Sequence, residues 1–148
     1  MNETHRRVLV VDDDPEIRRI LVTALRLKGL EIDEAVDGQA AIDKLRDHRY
    51  SVVLLDLMMP GVDGFAVLDA IDQEVNRPVV LVVSGSGRQT LDRLDTSKIH
   101  GVVKKPFDPI ELADVVASCV EIRGRSTFET MAYATIISGA PLIALLKW

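Results

Sequence analysis

Four short apolar runs set the rhythm of the chain: Val8-Leu9-Val10-Val11, Val52-Val53-Leu54-Leu55, Val79-Val80-Leu81-Val82-Val83 and Val102-Val103. Unbroken, Val- and Leu-rich runs of this length bounded by turn residues predict parallel strands buried on both faces. Around Leu30 to Val36 apolar and acidic residues alternate instead, the pattern of an edge strand with one wet face. Between these runs the apolar positions recur at helical spacing. Ile17, Ile20, Leu21, Ala24 and Leu27 form one stripe, Ala40, Ala41, Ile42 and Leu45 a second, and Phe65, Val67, Leu68 and Ile71 a third. Ile110, Ala113, Val116, Ala117 and Val120 form the last, opened by Asp108 as N-cap with Pro109 at the first helical position. Leu91 and Leu94 mark only a short helix.

Five alternations of strand and helix predict an α/β fold: a doubly wound, five-stranded parallel sheet with right-handed crossovers and helices on both faces. In such a sheet ligands sit beyond the carboxyl ends of the strands, so the residues that follow each strand are the candidates for chemistry. Asp12, Asp13 and Asp14 follow the first strand, Asp56 the third, Ser84 the fourth and Lys105-Pro106 the fifth.

Carboxylates gathered on one rim repel one another unless a cation compensates, which predicts a divalent ion. Oxygen-only ligands on an open rim favour Mg2+. A lysine and a hydroxyl beside them supply a cation and a donor for the oxygens of a transferring phosphoryl group, and an aspartate nucleophile would yield an aspartyl phosphate. Each residue also has a plainer reading. Asp14 before Pro15 is an ordinary helix cap, Asp12 and Asp13 suit a turn, and Asp56 suits a cap into Met58-Met59-Pro60-Gly61. Ser84-Gly85-Ser86-Gly87 suits a pliable loop, and Lys105 a solvated base beside Lys104. The joint placement at four strand ends is what the plain readings leave unexplained.

Length and charge narrow the classes. The 148 residues, 47% of them hydrophobic, suit one globular domain. A net charge of -5 offers no basic field for a phosphate backbone, so direct nucleic-acid binding is not expected. The single cysteine, Cys119, falls in a helical stripe and is expected to be core packing. The run Val8 to Val11 is too short for a signal peptide, and the cytoplasm is the expected location.

Three segments carry a family resemblance. Val8-Leu9-Val10-Val11-Asp12-Asp13-Asp14-Pro15 resembles the opening of response-regulator receiver domains of two-component signalling. Leu54-Leu55-Asp56-Leu57-Met58-Met59-Pro60-Gly61-Val62-Asp63-Gly64 resembles their phosphoacceptor segment, and Val103-Lys104-Lys105-Pro106-Phe107 their final signature. The resemblance spans roughly residues 6 to 123, with the motifs in the family's order and at its separations.

It implies the flavodoxin-like strand order 2-1-3-4-5 and makes Asp56 the acceptor of a phosphoryl group from a sensor histidine kinase or histidine phosphotransfer protein. It further implies direct Mg2+ binding by Asp13, water-mediated binding by Asp12, and a third protein ligand in the backbone carbonyl of Met58. Lys105 would bridge to the phosphoryl oxygens, Ser84 would move to hydrogen-bond them, and the Lys105-Pro106 bond would be cis.

The chain departs from that pattern at Val102, where the family's switch aromatic stands, and at Gly85, usually alanine. The sparse helical stripe between Ser84 and Lys105 implies that the family's usual signalling face, built on its fourth and fifth helices and fifth strand, is remodelled. Residues 124 to 148 are expected to form an apolar extension without an output domain. From Thr130 to Leu146 no charged residue stands, which is near the lower limit of about 17 residues for a membrane span. Thr130, Tyr133, Thr135, Ser138, Gly139 and Pro141 dilute it, so docking on the domain or on a partner is weighed alongside membrane contact.

The expected function is a single-domain response regulator, not a separate enzyme, that catalyses only its own phosphorylation and dephosphorylation and signals by protein contact. Two alternatives are an unphosphorylated interaction module docking through its C-terminal tail, and a haloacid-dehalogenase-type phosphohydrolase using Asp12 and Asp14.

Overall fold

The computed structural model describes residues 6–123 and 142–143. The chain alternates β1 (Arg7–Val11), α1 (Pro15–Arg26), β2 (Glu31–Ala35), α2 (Gly38–Asp47), β3 (Val52–Leu55), α3 (Gly64–Asp72) and β4 (Val79–Ser84). There follow α4 (Arg88–Asp92), a 3-10 turn (Thr96–Lys98), β5 (Gly101–Lys104), α5 (Pro109–Arg123) and β6 (Leu142–Ile143). The five parallel strands stand in the order β2-β1-β3-β4-β5, as the resemblance implies.

The alternation of side chains along each strand divides the core in two. Val8, Val10, Leu54, Leu81 and Val83 face α1 and α5, where Leu21, Leu25, Leu112 and Val116 close over them. Leu9, Val11, Leu55, Val80 and Val82 face the opposite layer with Ala41, Val67 and Ile71. The three central strands are therefore apolar at consecutive positions, whereas β2 keeps exposed acids at Glu31 and Glu34 because only one of its sides is paired.

Helix starts follow the sequence closely. Asp14 Oδ1 accepts from the amides of Glu16 (2.8 Å) and Ile17 (3.4 Å), and Asp108 Oδ1 from those of Ile110 (2.8 Å) and Glu111 (3.1 Å). Asp37 and Asp63 cap α2 and α3 in the same way. The fourth helix is a single short piece with no side-chain cap and no buried residue, as its sparse stripe predicted. Cys119 is buried in the α5 layer, and burial pushes its thiol pKa up to about 12.

One element was absent from the strand pattern. Leu142–Ile143 pairs antiparallel with β5, Ile143 opposite Val102 and Leu142 opposite Val103, and so covers the outer edge of that strand. The remainder of residues 124–148, including most of the span weighed for membrane contact, lies outside the described residues. Among the described residues no helix is long and apolar enough to cross a membrane.

Candidate functional site

The ladder continues past the formal strand ends and brings them side by side. The Asp12 amide donates to Ala35 O (3.2 Å), the Asp56 amide to Val11 O (2.9 Å) and the Lys105 amide to Ser84 O (3.0 Å). Carboxylate oxygens of Asp12, Asp13 and Asp56 consequently lie within 4.8 Å of one another. Lys105 reaches over them from beyond β5, its Nζ 2.8 Å from Asp12 Oδ2 and 3.6 Å from Asp56 Oδ2. Residues from three separate strand ends thus form one polar cluster.

Asp12 and Asp56 are buried, whereas Asp13 is exposed. Burial raises the pKa of Asp56 above the ordinary carboxylate value; the Lys105 charge and the Met58 amide, 3.4 Å from Oδ1, oppose this, while the charges of Asp12 and Asp13 add to it. For Lys105 burial acts to lower the pKa, but the hydrogen bond and charge of Asp12 together with the charge of Asp56 outweigh it and leave the pKa raised. One ammonium against three carboxylates leaves an excess of negative charge. A hard cation bound by oxygen would relieve that excess, and the donor set fits Mg2+.

Asp14 does not join the cluster: its carboxylate is committed to the α1 cap. Ser84 lies at the end of β4 on the same rim, with Oγ donating to Ser86 Oγ (2.7 Å) and accepting from the Ser86 amide (3.1 Å). Met58 is exposed beside Asp56, the Lys105-Pro106 bond is cis, and Val102 is a buried part of the α3-side core.

Close packing reveals residues to which the motif reading gave no role. Gly64 begins α3 so near the Asp56 loop that a Cβ there would lie 2.5 Å from both Asp56 O and Leu57 Cα. Its amide donates to Leu57 O (2.9 Å), tying the loop into a tight return. Gly38 at the start of α2 likewise leaves room for Val62 O, which a Cβ would meet at 2.1 Å. Arg18 donates from Nη1 to Asp12 O (2.7 Å). A glycine directly after an aspartate cap, Asp63-Gly64 and Asp37-Gly38, was the available signal for the first two; for Arg18 spacing offered none.

This arrangement has known counterparts. The family model of the response regulator receiver domain matches residues 8–117, and the chain belongs to that family. It is 34% identical over 143 residues to a probable transcriptional regulator, ycf27, of Pyropia yezoensis, covering 95% of this chain and 55% of that protein. It is 36% identical over 111 residues to the transcriptional regulatory protein ResD of Bacillus subtilis, covering 75% and 45%. The chain spans about half the length of the curated relatives it matches.

Among solved structures it is similar to the response regulator TrrA of Thermotoga maritima in complex with Mg2+-BeF, at 32% identity and a TM-score of 0.69, covering 77% of this chain and 98% of that one. A CheY-like receiver domain protein of Methanospirillum hungatei has the same fold, with a TM-score of 0.73 at 20% identity over 80% of this chain and 96% of that one.

Proposed function

We propose that this chain is a single-domain response regulator of the cytoplasm that accepts a phosphoryl group on Asp56 from a sensor histidine kinase or histidine phosphotransfer protein. The observation that carries the reading is the convergence of Asp12, Asp13, Asp56 and Lys105 on one rim from three strand ends. In the transfer, the phosphorus-nitrogen bond of the donor phosphohistidine breaks as a phosphorus-oxygen bond forms to an Asp56 carboxylate oxygen. The imidazole leaves with its electron pair and takes a proton from water.

Lys105, 3.6 Å from Asp56 Oδ2, would follow the charge that builds on the phosphoryl oxygens, and Ser84 Oγ would donate to one of them after releasing Ser86. Mg2+, held by Asp12, Asp13, Asp56 and the Met58 carbonyl, would neutralise the same charge. The chemistry ends on the chain's own aspartate, so the protein acts on no separate substrate. It signals through phosphorylation-controlled contact with a downstream protein, and the net charge of -5 argues against direct nucleic-acid binding.

The relatives named as transcriptional regulators, about twice as long, support a second reading in which this chain is the receiver part of a longer regulator. The mass of the protein in its host cells distinguishes the two.

The test of the chemistry is incubation with a small phosphodonor and Mg2+, followed by mapping of acid-stable, base-labile phosphoryl groups. Label on Asp56 that is lost in Asp56→Asn is expected. Label on Asp12 would favour a hydrolase using Asp12 and Asp14, although the capping role of Asp14 speaks against that chemistry. Absence of label would favour the unphosphorylated interaction module.

A further inference from the structure

Asp13 is exposed, and among the described residues no hydrogen bond or ion pair holds its carboxylate. With no partner to hold its rotamer, the region its carboxylate can reach is set by the direction of its Cα–Cβ bond, and so by its own backbone. That backbone is pinned just upstream, where Arg18 Nη1 donates to Asp12 O at 2.7 Å and the Asp12 amide donates to Ala35 O at 3.2 Å. The Arg18 side chain is only 14% exposed, and its Nε is buried without a hydrogen-bond partner, 3.6 Å from Glu34 on β2. An arginine one turn into a helix can ordinarily extend into water. This one gives up hydration and leaves a donor unmade while holding a single carbonyl in the acidic loop.

We propose that Arg18 is a positioning residue for the cation site: by fixing the Asp12-Asp13 peptide it sets the direction in which Asp13 presents its carboxylate. The inference rests on the reading of this rim as an Mg2+ site. Two effects of the guanidinium compete. Its charge repels a cation, whereas its hydrogen bond orders a ligand. Glu34, near enough to balance the charge, leaves the ordering effect dominant.

The sign of the change on mutation therefore decides between them. Mg2+ binding to the unphosphorylated full chain is measured by calorimetry, with thermal melting as a separate readout. Arg18→Met is expected to weaken Mg2+ binding by about tenfold, the lower end of what groups that orient metal ligands contribute. Arg18→Lys, able to reach the same carbonyl, is expected to recover most of the loss. Arg18→Gln, too short to reach it, should match Arg18→Met and serves as a second variant if that one does not fold. Glu34→Gln should change binding by no more than about twofold, as for other exposed ion pairs.

Unchanged affinity with a lowered melting temperature in Arg18→Met would reduce Arg18 to a stabilising contact and overturn the proposal. Tighter Mg2+ binding would overturn it in favour of charge repulsion. Wild-type protein that binds no Mg2+ would overturn the site reading and this inference together. Phosphorylation of Asp56 with equal Mg2+ affinity in wild type and Arg18→Met would sink the inference alone.

Discussion

The loops that carry Asp56 and Ser84 leave adjacent strands of one sheet, yet they are held in opposite ways. On the Asp56 side, Leu57 is fully buried, the Gly64 amide closes the loop onto Leu57 O, Gly64 packs against Asp56 O, and Asp63 caps α3. On the Ser84 side, the loop turns on a Ser84-Ser86 hydroxyl pair and runs through Gly85 and Gly87 into α4, a five-residue helix with neither a side-chain cap nor a buried residue. Segments with few buried contacts open at low cost, and elements that move in switching are drawn from them. The comparison assigns rigidity to the Asp56 loop and compliance to the Ser84 loop, which suits the proposed switch, in which the family's aromatic position is occupied by the buried Val102.

The largest expected effect tests whether Ser84 belongs with the reacting groups or with the responding ones. Lys105→Met should slow phosphoryl incorporation from a small donor by about a hundredfold or more, as for loss of a preorganised charge. Ser84→Ala should slow it by only about tenfold, one net hydrogen bond's worth. Equal losses in the two variants would erase the distinction between the loops.

A stability measurement then probes the rigidity itself. Gly64→Ala forces a Cβ against backbone and should cost about 1–3 kcal/mol in denaturant unfolding. Gly85→Ala meets only Lys105 Cβ and Cδ, at 3.8 Å, and should be tolerated within about 0.5 kcal/mol. If Gly85→Ala proved the more damaging, the Ser84 loop would be the constrained one.

The smallest effect concerns pH. The pKa of Asp56 in the folded protein is raised above 3.8 by burial, so the folded state holds this proton more tightly than the unfolded chain does. Its ionisation therefore lowers stability as pH rises from 3.8 through the folded-state pKa, and the cost persists at neutral pH. Asp56→Asn should unfold at a higher denaturant concentration than wild type at pH 7 without Mg2+. That advantage should shrink as the pH falls below 3.8. An equal or lower midpoint for the variant at pH 7 would show that Lys105 compensates Asp56 fully.

Much of this architecture was legible in one dimension. Burial on both faces demands unbroken apolar runs, so β1, β3 and β4 announced themselves. The alternation in β2 marked it as an edge, and Asp14 and Asp108 marked helix starts because a cap acts on amides only two or three residues away. The acids, Ser84 and Lys105 could be nominated because a parallel sheet places every strand's carboxyl end on one rim.

The tertiary structure decided what depends on residues distant in the chain. It placed the Lys105 ammonium against Asp12, 93 residues away. It pressed Gly64 against the Asp56 carbonyl, turned Arg18 onto the Asp12 carbonyl, and laid Leu142–Ile143 along the edge of β5. Periodicity records whether a side chain is buried, a property repeated along an element and therefore visible in sequence. It carries no record of which carbonyl a guanidinium reaches or how closely two backbones pass, because those distances exist only once the sheet has ordered its strands.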